Sequence, residues 1–341
     1  MNTTGFVKYA LALIALATCS ACGGVLRQAQ DDMSVAPSTA ALNVTYIGRT
    51  LSVNGRLVTA ARLSPLPRYA TILPEAKTKS KSFEYVFGDY GSYGSIFDYP
   101  KSTKQIGTIK GLGGQGCTNV LYGYGKKFFW NVGGPDQITE YKVLKKPIRT
   151  LSVPYGLPSS CAMDTSGDLA VGILGGQGRG AIVIFKHARG KGTVYATPLT
   201  AEYFDGYDDQ GNLFADGFSN SGFELVELPK GSSTFEKITT SNTVEFPGSV
   251  QWDGTYLTVF DQVANATYQY TIGGTTATLE GTVSLSGSSD CAQTWIATGI
   301  VFCADAGTNS TEVFKYPAGG SVIAILTGKF DLPLGVVAAE K

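Results

Sequence analysis

Acid and amide side chains recur along this chain at a nearly constant step, and oxygen ligands gathered that way are the chemistry of hard-cation binding. The series is Asp89, Asn131, Asp216, Asp261 and Asp305, each near the end of a short apolar run, with Asp290 close to the last of them. Converging on one face, such groups would form a ligand face or hold calcium. The competing use is local, because a strand-end Asp accepts the backbone N–H groups of its own loop. That local use is the expected one, and the run GILGG near Leu174 interrupts the series.

Other chemistry is thinner. The single histidine, His187, lies in FKHARGKG and reads as a solvated turn residue, which argues against histidine-based catalysis. GLGGQGC and GILGGQGRG look like phosphate loops, yet strands follow them where a phosphate cradle needs a helix N-terminus. Glu202 and Glu245 fall near strands whose alternation is ambiguous. Four cysteines follow the N-terminal segment without any CxxC spacing. Cys291 and Cys303 flank the turn WIATG, and Cys117 and Cys161 occupy matching places one step apart. Either pair is a candidate disulfide, with buried thiols as the alternative.

The elements that would position these residues follow one period. Runs ending in an aromatic or large apolar residue recur every 42 to 46 residues, at Tyr99, Tyr141, Phe185, Leu228, Tyr270 and Tyr316. MDTSGDLAVG, YDDQGNLFADG, QWDGTYLTVFD and WIATGIVFCAD each read as strand, tight turn, strand. Inner strands are expected near 114–122, 156–164, 200–208, 245–253, 287–295 and 332–340. Second strands are expected near 83–88, 126–132, 168–174, 212–218, 255–261 and 299–305. Trp252 and Trp295 then take equivalent positions, and the many aromatics fill the space between repeats. A unit of four strands in 40 to 45 residues is the signature of a propeller blade. The chain ends on an inner strand and its first unit lacks one, so pairing the two completes the ring. The expectation is an all-β, six-bladed β-propeller of four-stranded blades over 83–341.

The pattern of Pro-x-Gly, apolar strand, Asp, turn Gly, Asn/Asp-Leu, apolar strand, Asp resembles NHL-type and YVTN-type repeats, best at 156–172, 207–217 and 247–261. With ELPKGSSTF, FPGSVQWDG and EVFKYPAGG, the whole order is similar to bacterial propeller lipoproteins. Six-bladed propellers also include gluconolactonase-like hydrolases, and that resemblance would place a metal on Asn131, Asp216 and Asp261. YGYGKKF departs from the repeat by lacking the Asp before its turn.

Composition limits the rest. The 341 residues carry 27 basic and 27 acidic side chains, so no basic footprint exists for nucleic acid. Residues 1–22 hold Lys8 and a ten-residue apolar run, Tyr9–Thr18, too short to span a bilayer. They read as a lipoprotein signal with Cys22 as the lipidated residue and Cys19 as the alternative. Residues 23–82 read as a tether, with a β-hairpin near 50–59 around Asn54 and Gly55. The functional expectation is a monomeric, exported lipoprotein of the cell envelope, periplasm-facing or at the surface, held to the membrane by its lipid. It would act as a non-enzymatic binding or scaffold module for a protein, peptide or glycan, without a cofactor. The alternative is a calcium-dependent lactonase or related hydrolase.

Overall fold

The computed structural model describes residues 93–340 apart from 111, 113, 119–127, 135, 143–146, 154–155, 177–178, 298 and 330–331, and, before them, the backbone of strands within 44–89. The expected signal segment, Cys19, Cys22 and most of the tether lie outside the described residues. Among the described residues, no helix is long and apolar enough to cross a membrane.

An N-terminal antiparallel sheet joins β1 (Val44–Ile47), β2 (Thr50–Val53) and β3 (Arg56–Thr59). β2 and β3 are in register from Thr50↔Thr59 to Val53↔Arg56, so only Asn54 and Gly55 separate them. A short strand, β4 (Thr71–Ile72), follows. The remaining strands fall into six antiparallel groups.

Group I contains β5 (Phe83–Asp89), β6 (Tyr93–Tyr99) and β7 (Gln105–Lys110). Group II contains β8 (Gly116–Cys117), β9 (Phe128–Gly134), β10 (Gln137–Lys142) and β11 (Pro147–Ser152). Group III contains β12 (Leu157–Met163), β13 (Leu169–Gly176), β14 (Arg179–Phe185) and β15 (Thr193–Ala196). Group IV contains β16 (Ala201–Tyr207), β17 (Leu213–Ser219), β18 (Gly222–Leu228) and β19 (Glu236–Thr240). Group V contains β20 (Val250–Trp252), β21 (Leu257–Asp261), β22 (Ala266–Gly273) and β23 (Thr276–Ser286). Group VI contains β24 (Cys291–Ala297), β25 (Ile300–Asp305), β26 (Ser310–Lys315) and β28 (Ala324–Leu326), while the two-residue β27 (Gly320–Ser321) joins the sheet of β23.

Two pairings tie the ends of the chain to the body. The final strand, β29 (Pro333–Glu340), pairs antiparallel with β5, as at Val337↔Val86, and gives group I its inner strand. β4 pairs with β28 through Ile72↔Ala324, so a piece of the expected tether extends group VI. Outer strands also meet: β19 and β23 pair in parallel, as do β23 and β27.

One local device makes three of the inner hairpins. Asp164 accepts the N–H groups of Ser166 (2.9 Å) and Asp168 (2.7 Å). Asp208 does the same for Gln210 (2.9 Å) and Asn212 (2.8 Å), and Asp253 for Thr255 (2.8 Å) and Tyr256 (2.7 Å). These are Asx turns. Gly211 (φ 89°) takes up the left-handed backbone that closes such a turn.

Side chains of each second strand then alternate between the two neighbouring groups. Leu169 and Val171 join a cluster with group II residues, while Ala170 packs with Leu213 and Ala215 of group IV. This alternation corrects one expectation. Trp252 pairs with Leu257 and packs within the cluster between groups IV and V, whereas Trp295 pairs with Phe302 and packs toward group I. Ile296, paired with Val301, faces the way Trp252 does. The two tryptophans are therefore offset by one residue, because the step from Trp252 to Ile296, and from Leu257 to Val301, is 44 residues while the tryptophans are 43 apart.

Candidate functional site between the inner strands

The inner strands are joined to one another by side chains, and each joint uses different chemistry. Between β8 and β12 the joint is the disulfide Cys117–Cys161, with Cα atoms 5.6 Å apart. Between β12 and β16 it is a carboxylate: Ser159 and Ser160 donate their hydroxyls to the two oxygens of Glu202, at 2.5 and 2.9 Å. Gly172 makes the room, since a Cβ there would lie 2.0 Å from Glu202 Oε2. Toward the start of β20 the joint comes from the second strand, β17, where Asp216 Oδ2 accepts the N–H of Gly248 (3.1 Å).

Amides hold the other side of the ring. Gln251 donates to Ile296 O (2.9 Å) and accepts from Ile296 N–H (2.8 Å), copying a strand partner between β20 and β24. Gln293 donates to Gly116 O (3.0 Å) and accepts from the N–H groups of Gly116 (3.3 Å) and Val336 (2.9 Å). One glutamine thus links β24 to both β8 and β29. Buried amides satisfied this fully are strong orienting groups.

Three inner strands carry a bulge at matching places, where one extra residue breaks the register: Tyr203 in β16, Ala292 in β24 and Leu334 in β29. A bulge re-aims the side chain it adds. Ala292 and Leu334 cluster with Phe246, and Tyr203, Phe218 and Phe246 meet edge-to-face with centroids 5.2 to 5.7 Å apart. The result is an apolar arc across the N-terminal ends of the inner strands of groups IV, V, VI and I.

Between these strands lies a partly open cavity of about 20 Å³, lined by residues of five inner strands or their immediate approaches, among them Gln115, Asp205, Thr294 and Trp295. That is room for about one water-sized guest. Glu202, Asp205 and Asp216 are all buried. Burial pushes each of their carboxyls up, Glu202 further through the charge of Asp205, and Asp205 reaches about 7. Among the described residues no lysine or arginine pairs with them.

The residues singled out from the sequence take other positions. Asp261 Oδ2 accepts from Glu245 N–H (2.7 Å), and its Oδ1 from those of Val263 (3.0 Å) and Ala264 (3.2 Å). Asp305 accepts from Ser289 (2.6 Å) and Thr308 (2.9 Å) in the same manner, pinning the corresponding loops of group VI. Asn131 donates its amide to Gln115 O (2.9 Å), and Asp290 is buried with its backbone carbonyl accepting from Ala306. Asp89 is the last residue of β5, opposite Pro333. The cavity wall is made of other residues, so the trio Asn131, Asp216 and Asp261 does not line it. His187 sits exposed in a short turn, its N–H donated to Asp168 Oδ1 (2.8 Å).

A second acidic group stands apart from the cavity. Cys303, Asp305 and Glu312 bring ligand atoms within 4.8 Å of one another. The sulfur of Cys303 is bonded to Cys291, and burial together with the facing Asp305 raises the Glu312 carboxyl to about 8. Glu312 is hydrogen-bonded to Asp305, and Cys303 is taken up in the disulfide, which accounts for this cluster without a metal.

Gln115, at the entry to β8, was expected on this face from the sequence, whereas Asp205 was missed. Asp205 aligns by register with Cys161, Val250 and Thr294, each paired with the third core residue of its second strand. It is the one carboxylate in that set, and comparing aligned inner strands is the signal that would have found it.

No protein-family model matches the chain, and no curated protein matches it in sequence. Solved structures do. A structure from a nidogen/laminin complex matches with a TM-score of 0.59 at 11% identity, covering 75% of this chain and 98% of that one. A Bacteroides caccae protein of unknown function matches at 0.55 and 13% identity, over 76% of this chain and 100% of that one. A functionally unknown protein from Desulfotomaculum acetoxidans matches at 0.50 and 13%, over 86% and 96%. With the strand order above, these likenesses show an all-β fold of β-propeller type.

Proposed function

We propose that the six groups are six blades of a closed propeller, sealed by β29, that serves as a non-enzymatic binding module. On this reading it resembles the NHL-like propellers of bacterial lipoproteins and stands at an envelope membrane on a lipidated Cys22. The observation that carries the proposal is the pinning of the loops at the ends of the second strands. Asp261 ties the loop before β20 to the loop after β21, and Asp305 ties the loop before β24 to the loop after β25. Loops held this way lose little entropy when a partner docks. Val263, in one of them, is half-exposed and gives the face an apolar contact. A solved relative in fold comes from a complex between two proteins, which fits a protein as the occupant.

The lactonase reading asks Asn131, Asp216 and Asp261 for free oxygens, and Asp261 has given both of its oxygens to backbone N–H groups. The test is a photo-crosslinking side chain placed at Val263 and, separately, at the exposed Ile148 of β11, in cells that make the full chain. One discrete protein adduct from position 263 alone, on a membrane-bound protein with a diacylated N-terminal cysteine, is expected. Adducts from neither position, or chelator-sensitive turnover of lactones, would overturn the proposal.

A further inference from the structure

The charge of this chain is balanced in total and unbalanced in place. From Phe83 to Ala196, which covers groups I to III apart from β29, 13 lysines and arginines stand against 7 acids, and from Thr197 onward 5 stand against 17. Many acids of the second half are internal, Glu202, Asp216, Asp261 and Asp305 among them. Cations of the first half are outside: Lys101, Lys104, Lys186, Arg189 and Lys191 are exposed. Formal neutrality therefore conceals a basic region at the surface, and such a region calls for an anionic partner.

These five residues share one end of their groups. Strands within a group are antiparallel, so the turn between its third and fourth strands lies at the same end as the turn between its first and second. Lys101 and Lys104 occupy that third turn in group I, and Lys186, Arg189 and Lys191 occupy it in group III. Lys186 also binds the buried Asp168 (2.6 Å), which fixes its turn. The exposed Asp136 lies between β9 and β10 at the opposite end, and Asp98 is half-buried. The loops held by Asp261 and Asp305 are at that opposite end as well, because each Asp closes a second strand.

An exposed apolar side chain stands beside these turns. The second residue of each outer strand is large and apolar in the first three groups: Ile106 in β7 (43% exposed), Ile148 in β11 (49%) and Val194 in β15 (38%). The second residues of β19 and β23 are instead Lys237 and Ala277. Single exposed apolar residues are ordinary. Three at one position, on groups joined in succession by Gln293 and the Cys117–Cys161 disulfide, form a pattern. Cations with apolar residues beside them suit a layer that is anionic at its surface and apolar beneath. We propose that this end of groups I to III rests on a bilayer surface rich in anionic lipid, with Lys104, Arg189 and Lys191 among the headgroups and Ile106, Ile148 and Val194 at the acyl boundary. This contact does not depend on a lipidated Cys22, and it turns the loops of Asp261 and Asp305 away from the bilayer, toward a protein partner.

The test uses the full chain carrying Cys19→Ala and Cys22→Ala, so that no acyl chain contributes. Its co-sedimentation is measured with vesicles of phosphatidylglycerol and phosphatidylethanolamine, and with vesicles of phosphatidylcholine alone. Expected is binding to the anionic vesicles only, weakening as salt is raised. Lys104→Glu with Lys191→Glu should weaken it by about tenfold or more. Ile106→Ser with Ile148→Ser should weaken it too while leaving its salt dependence in place. Lys230→Glu, on group IV, should bind as the parent does. An environment-sensitive dye on Ile148→Cys should shift to the blue on the anionic vesicles, and the same dye on Val263→Cys should not. Equal binding to both vesicles, or full binding by a folded Lys104→Glu, Lys191→Glu protein, would overturn the proposal. Retention on polyglutamate or heparin without vesicle binding would also overturn it, giving this surface to a soluble polyanion.

Discussion

At the scale of single residues, buried carboxylates do much of the work in this protein. Asp261 and Asp305 accept several backbone N–H groups each and so hold their loops. Glu312 is held up to about 8 by burial and by the facing Asp305. Its folded-state value therefore lies above its ordinary 4.5, so the unfolded chain releases this proton first. The stabilisation it gives is complete below that ordinary value and is lost as pH rises through about 8. Melting curves from pH 5 to 9 should show this decline, and Glu312→Gln should remove that part of it. An unchanged pH dependence in Glu312→Gln would show that the proton is not held there. The Asp step of about 43 residues was legible from the sequence because each Asp ends a short apolar run. Asp205 was not, since the Tyr203 bulge two residues earlier breaks the alternation by which an inward-facing residue is recognised.

Among the elements, the inner strands are the most demanding, because they approach one another more closely than side chains normally allow. A Cβ on Gly206 of β16 would lie 2.4 Å from Val250 O of β20, and one on Gly335 would lie 2.1 Å from Gly114 O. Backbone on backbone cannot relax by a rotamer change. Gly206→Ala should destabilise the fold by about 1–3 kcal/mol, read as a lower urea midpoint with an unchanged slope. Gly254→Ala provides the contrast, meeting no neighbouring atom and only an unfavourable φ of 103°. Should both variants unfold at the same midpoint, the close approach of β16 and β20 would be refuted. Inner and second strands stood out in the sequence because an Asx turn joins several of them and leaves a readable Asp and Gly. The cross-links Gln251 and Gln293 did not, as a glutamine within a strand looks the same whether it faces water or replaces a neighbouring strand.

For the molecule as a whole, the principal feature is that the inner strand of group I comes from the other end of the chain. β29 pairs with β5 along its length, and Gln293 binds Val336 of that strand. Deleting residues 333–341 should strip group I of its inner strand and remove one partner of Gln293. Such a truncation should melt over a broad range and be cut by protease within 83–110 before other regions. A sharp, wild-type-like transition in the truncated protein would show that closure contributes little. The all-β propeller character could be read from the repeat of short strands. The pairing of β4 with β28 could not, because a two-residue strand in a proline-rich stretch carries no periodicity.

This arrangement also sets an order in time. Any machine that makes or threads this chain from its N-terminus releases β5 to β7 long before β29. The first three strands of group I must wait, with one edge unfilled, until β29 arrives. Groups II to V can settle meanwhile, each from strands that are contiguous in the chain. Group I can therefore be completed only after β29 has been made or transferred, and a nascent chain stalled short of Pro333 leaves the edge of β5 accessible to chaperones and proteases. β29 is thus a late arrival for which an early edge is kept waiting, and what happens to that edge in the interval is decided before group I exists.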